Sequence, residues 1–295
     1  MATTQSLTIA ARNEPFARGK PRFGQLGRLL KSPAGAIGGG IVGLLIVSAI
    51  LAPLLAPFDP IAQPGKRLLD PNSTYLLGTD QFGRDILSRI IYGIRTSMLV
   101  GVVSVLVACC IGVPLGLLAG LRGGKVDFVI MRVIDVMTAF PGILFAIFLI
   151  SVFGGGVGNV IFVIAITGWV TICRLMRAQL LTLREQEYVA AARSIGATEF
   201  TIAVRHLLPN AMPPMIIAIA LAIPSAIFTE AGLSFIGVGI NEPTPSLGKM
   251  VASSAPYIRV FWHLGLFPTV AIALAMLGFT FVGDGLRDAL DTRGR

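Results

Sequence analysis

Two carboxylates, Asp135 and Glu230, stand beside or inside long apolar stretches of this 295-residue sequence. A charge in such surroundings is costly enough that function is the default explanation. Asp135 could stand on a translocation path, or, three residues after Arg132 and on the same helical face, form an ion pair near a membrane boundary. Glu230 lies well beyond Pro214, about 24 Å along a helix at about 1.5 Å per residue. There it could line a passage or gate, or simply cap packing near the surface. Bond-making chemistry is otherwise scarce. The two histidines, His206 and His263, fall in different loops and complete no Ser/His/Asp set or metal cluster. Cys109, Cys110 and Cys173 sit in apolar runs without metal spacing and read as packing residues. The pairs Gly19-Lys20, Gly65-Lys66, Gly124-Lys125 and Gly248-Lys249 all lack the upstream glycine of a phosphate-binding loop. The chain is therefore not expected to be an enzyme, to hydrolyse ATP, or to hold a cofactor or metal.

The elements that must position these residues follow from composition. Apolar residues make up 54% and charged residues 13%, with a mean hydropathy of +0.81. A soluble domain carries about 25% charged residues, so this chain lacks the polar surface to fold in water. Disorder is excluded by the same apolar excess. Crossing a hydrocarbon core of about 30 Å takes about 20 apolar residues, and six stretches qualify: 34–57, 96–121, 128–153, 157–176, 214–238 and 264–283. Inside lipid the backbone must satisfy itself, so these are helices. The expectation is an all-α polytopic membrane protein with six transmembrane helices. A basic tail 1–33 precedes the first helix 34–57 and an outer loop 58–95. A five-helix core 96–286 contains the inner loop 174–213, and a tail 287–295 closes the chain.

The net charge of +9 does not point to nucleic acid, because the basic residues form no single patch. They sort by topology instead. With the amino terminus in the cytoplasm, inward segments hold 17 Lys/Arg and outward segments 7, which places both termini inside. The first apolar stretch is too long for a signal-peptide core and reads as a retained helix. Gly35, Gly39 and Gly43 share one helical face, as do Gly112, Gly116 and Gly120, and either trio would allow close helix approach. Pro114, Pro141 and Pro224 are placed to kink their helices. Before the second span, Thr79 or Asp80 could cap a short amphipathic helix carrying Phe82, Ile86 and Ile90 on one face, with Asp85 four residues before Arg89.

The inner loop is the richest segment. A helix from Arg184 through Glu187 to Ile195, with Tyr188, Ala191, Ala192 and Ile195 on one side, should stop at Gly196, a natural left-handed C-terminal residue. A second should start at Thr198, with Glu199 in its first turn, and carry Phe200, Val204 and Leu207 until Pro209 ends it. The apolar face of this hairpin has no membrane to enter. It could pack on the chain's own helix ends, or dock into a groove on a partner.

The run Glu187-Tyr188-Val189-Ala190-Ala191-Ala192-Arg193-Ser194-Ile195-Gly196-Ala197, continuing to Arg205-His206-Leu207-Leu208-Pro209-Asn210, resembles the EAA loop of bacterial ABC importer permeases. Leu77-Gly78-Thr79-Asp80 with Gly83-Arg84-Asp85, and Glu230-Ala231-Gly232-Leu233-Ser234-Phe235-Ile236-Gly237-Val238-Gly239, look like signatures of the dipeptide/oligopeptide/nickel branch. The main departure is Ala190 where the family often has Glu. The resemblance covers nearly the whole chain. It implies a six-span permease subunit in the bacterial inner membrane, its hairpin a coupling helix seated in a cleft of a cytoplasmic ATPase. The partners it implies are a homologous second permease, two ABC ATPase subunits holding ATP and Mg, and an extracytoplasmic substrate-binding protein. The cargo it implies is a short peptide, with nickel or another small solute as the alternative. A gradient-driven secondary transporter would want more intramembrane ionisable groups and inverted repeats.

Overall fold

A computed structural model describes residues 32–290 of the chain. The basic tail expected at 1–33 lies outside the described residues except for its last two. The expected tail 287–295 is described only as far as Leu290, where it is still helical.

Regular structure among the described residues is helical, apart from one isolated antiparallel bridge between Thr79 and Asp85. Helix α1 is Pro33–Ile50, opened by the Ser32 hydroxyl accepting the Gly35 N–H at 3.0 Å, and a single turn α2, Ala52–Leu55, follows. Helix α3 runs Ile86–Arg122. Two shorter helices, α4 at Gly124–Thr138 and α5 at Gly142–Phe153, meet at an 86° bend. Helix α6 is Val157–Leu183 and α7 is Glu187–Ser194. Helix α8, Glu199–Ile202, passes through a wider π turn, Ala203–Leu207, into α9, Leu208–Ile236. Helix α10 is Leu247–Ser254 and α11 is His263–Leu290. Among the described residues, five helical stretches are long and apolar enough to cross a membrane, or six if the bent pair counts as one span. The protein is polytopic and all-helical, with a loop end (56–85 and 237–262) and a hairpin end (184–199).

Four expectations change. Residues 79–85 form no helix: the Asp80 carboxylate accepts the N–H groups of Phe82 and Arg84 at 2.8 and 2.9 Å, and Leu68 donates to the Asp80 carbonyl at 3.0 Å. These local bonds outcompete the helix. Asp85 instead caps α3 through the Ser88 N–H at 2.8 Å, so the expected amphipathic helix and second span are one continuous helix. The expected third span is broken rather than kinked at Pro141, which stands at the start of α5. Pro209 does not end the hairpin's second helix. It occupies the first turn of α9, and the wider turn before it relieves the clash of its ring with the preceding carbonyls. The trio in α1 is not one contact face either: Gly35 is buried but Gly43 faces open space, and Gly38 meets Phe281 and Val282 of α11.

The other glycine trio does pack. A methyl group on Gly112 would lie 2.6 Å from the Trp169 carbonyl of α6, and one on Gly116 would lie 2.6 Å from the Cys173 carbonyl. One on Gly120 would lie 2.7 Å from the Leu180 side chain. Helices α3 and α6 thus touch backbone to backbone, as small residues permit in lipid. Gly116→Ala is expected to cost about 2 kcal/mol by overpacking, read as a lower melting temperature in detergent. An unchanged value would show that the two helices can move apart freely.

Candidate functional site: an exposed hairpin and two polar clusters

The hairpin is built from local signals. Glu187 favours the positive end of α7 and Arg193 its negative end. Ile195 closes the helix, and Gly196 turns the chain at φ +82°, a conformation that strongly favours glycine. The Gly196 N–H donates to the Arg193 carbonyl at 2.9 Å, and that of Ala197 to the Ala192 carbonyl at 3.1 Å. Thr198 caps α8 by accepting the Thr201 N–H at 3.2 Å. Across the turn the Arg193 guanidinium makes two bonds to Glu199, at 2.9 and 3.2 Å. Both side chains are about half exposed, so this pair adds little stability.

The expected face splits in two. Val189, Ala192, Ile202 and Leu207 are buried in one apolar cluster with Met176 and Leu180 of α6 and Ile134 of α4. Tyr188 is half-buried beside His206, ring centroids 6.4 Å apart. Glu187, Ala191, Ile195 and Gly196 face outward. Ile195 is 85% and Phe200 77% exposed, a large apolar surface at the tip of a braced hairpin. The first of the two open alternatives is seen on one side, which packs on the chain's own helices, while the tip is not covered by any described residue. Val189, the most deeply buried residue of α7, lies off the face of Tyr188, Ala191 and Ile195 that helical spacing picks out.

Asp135 does not pair with Arg132. It accepts from Arg174 Nη2 of α6 at 3.4 Å, while the Arg132 guanidinium lies 5.2 Å from the Phe128 ring centroid one turn earlier. Arg177 of α6 also binds Asp127, so two ion pairs clamp α4 to α6.

Glu230 has no exposed surface. Its Oε1 accepts the hydroxyls of Ser234 and Ser246 at 2.9 and 2.8 Å, and its Oε2 accepts that of Ser97 at 2.9 Å. Ser246 in turn caps α10. One carboxylate thus ties α3, α9 and α10 together.

The loop end holds a second cluster. Arg84 Nε donates to Asp80 at 2.6 Å and Arg84 Nη1 to Glu242 at 2.6 Å, and Arg89 Nη2 reaches Glu242 at 3.2 Å. Arg89 Nη1 also donates to the Pro60 carbonyl at 3.1 Å. The expected Asp85–Arg89 pair is replaced by these contacts. Burial alone would raise the Glu242 carboxyl, but bonds and charges from Arg84 and Arg89 outweigh it and hold it below the ordinary range. Stability from such a group is full above the ordinary carboxylate range and is lost as pH falls through the lowered value. The melting-temperature gap between wild type and Glu242→Gln should therefore be widest near neutral pH and close on acidification. A gap independent of pH would mean that the ion pairs contribute nothing.

Lipid-length helices, with an exposed apolar tip at one end, define a multi-pass membrane protein. Residues 112–295 match the family model described as binding-protein-dependent transport system inner membrane component, and residues 25–71 match the N-terminal TM domain of oligopeptide transport permease C. The chain is similar to the dipeptide transport system permease protein DppC of Bacillus subtilis (strain 168), 40% identical over 91% of this chain and 84% of that protein. It is also similar to the glutathione transport system permease protein GsiD of Pectobacterium atrosepticum, 41% identical over 90% and 89% of the two chains. A native crystal form of the inward-facing MetNI methionine ABC transporter shares the fold, with a TM-score of 0.60 at 20% identity over 69% of this chain and 97% of that one. The protein belongs to the family of binding-protein-dependent transport system inner membrane components. It is an ABC transporter permease, a transport subunit that implies ATPase and binding-protein partners.

Proposed function

We infer that this chain is the membrane passage of an ATP-driven importer of short peptides, dipeptides, oligopeptides or glutathione being the cargo classes named for its relatives. In this reading it pairs with a homologous second permease, two ATPase subunits and an extracytoplasmic binding protein. Both termini and the hairpin face the cytoplasm, consistent with the distribution of Lys and Arg. The observation that carries the reading is the tip of Ile195 and Phe200, apolar and uncovered, on a helix pair rigidly anchored beneath. Closure of the ATPases would carry such a tip, and α6 and α9 with it. Asp135, more than half exposed beside Arg174, is a candidate contact for a passing solute. Glu230 would hold the loop end shut until its serine tie opens.

Proteoliposomes containing the chain and its partners should accumulate dipeptide only with ATP inside and binding protein outside. Uptake driven by a proton gradient without ATPase subunits would overturn the proposal.

A further inference from the structure

Helices α3, α6 and α9 enclose a groove of about 350 Å³, within the range of small-molecule sites. Among the described residues, no charged side chain lines it. Its polar groups are five hydroxyls: Ser104 on α3, Thr167 and Thr171 on α6, and Ser225 and Thr229 on α9. Between them the walls are small or aliphatic. The two pairs are each four residues apart, so each presents hydroxyls about 6 Å apart along its helix, close to the repeat of alternate residues in an extended peptide.

The hydroxyls divide by chemistry. Thr167 donates its proton to the Val163 carbonyl at 3.0 Å, Ser225 to that of Leu221 at 3.4 Å and Thr229 to that of Ser225 at 2.8 Å. With those protons committed to the helices, these three oxygens can only accept. Ser104 is fully buried, and its hydroxyl has no partner among the described residues, a state that costs free energy unless a ligand or a movement relieves it. Thr171, exposed on the groove wall, is equally free to donate.

We propose that this groove is a solute-contacting surface of the chain, and that its hydroxyls bind the backbone amides of a short peptide in transit. Acceptors on Thr167, Ser225 and Thr229 meet N–H groups, and Thr171 supplies a donor for a carbonyl. A site without charge grips what all peptides share and ignores what distinguishes their side chains. The proposal rests on the import reading above and deepens it.

The test uses the complete complex in proteoliposomes. Thr171→Val and Thr229→Val keep volume and remove two hydrogen bonds, so dipeptide uptake by the double variant should fall about tenfold. Binding-protein-stimulated ATP hydrolysis should stay near wild type, which shows the complex to be assembled. Thr269→Val, a hydroxyl on α11 away from the groove, serves as control. In a background lacking Cys109, Cys110 and Cys173, a cysteine at position 171 or 225 should react with a water-soluble thiol reagent and be slowed by dipeptide during turnover. Normal uptake by the double variant would overturn the groove assignment while leaving the import reading intact. So would labelling by lipid-soluble reagents alone, or a disulfide between position 225 and a second permease. Absence of peptide uptake by the wild-type complex would instead remove the import reading itself.

Discussion

Gly196→Pro is expected to release the ATPase subunits from the solubilised complex and to lower ATP-driven uptake by about tenfold or more. Proline cannot adopt the φ of +82° found there, and it removes the N–H that bonds the Arg193 carbonyl at 2.9 Å. The tip would then point elsewhere while the membrane helices remain intact. Ile195→Asp and Phe200→Asp test the same surface without touching the turn. Both side chains are largely exposed, so neither substitution should unfold the hairpin. Central apolar anchors of an interface are commonly worth about 2 kcal/mol or more, so each should weaken ATPase binding about thirtyfold. Glu187→Lys should act in the same direction more mildly, because it places a cation at the positive end of α7. Copurification unchanged in all four variants would dismiss the hairpin as the coupling element.

Glu230→Ala is expected to produce the largest loss of stability in the chain. Three buried hydroxyls lose their acceptor together, and each stranded group costs about 1–3 kcal/mol. Glu230→Gln keeps one acceptor oxygen and should retain much of the stability. Thermal denaturation in detergent, alongside uptake per folded complex, separates the two roles open to this residue. A stability loss with normal specific uptake fits a structural tie. Full stability with altered uptake would instead put Glu230 on the route of the solute.

What could be read from the sequence was what local physics decides. The turn at Gly196 and the cap at Thr198 depend on neighbours within four residues, and both stand where expected. The stripe of Gly112, Gly116 and Gly120 was legible because helical spacing alone defines its face. The loop-end cluster was hidden by distance, since Arg89 is 153 residues from Glu242 and a nearer carboxylate, Asp85, looked the better partner. Asp135 misled in the same way, drawing attention to Arg132 when the cation comes from α6. The groove left a faint trace, hydroxyls four apart at 167 and 171 and again at 225 and 229. That spacing gains meaning only once α6 and α9 are known to face one another.

At 37 residues, α3 measures about 55 Å, against about 30 Å of hydrocarbon. Even leaning by about 40°, the steepest inclination usual for such helices, it would still project about 42 Å across the film. Part of this rod must therefore stand clear of the acyl chains. If the overhang falls at the end rooted in Asp85 and Arg89, it becomes a rigid landing post that sets how high above the lipid a soluble visitor first touches down.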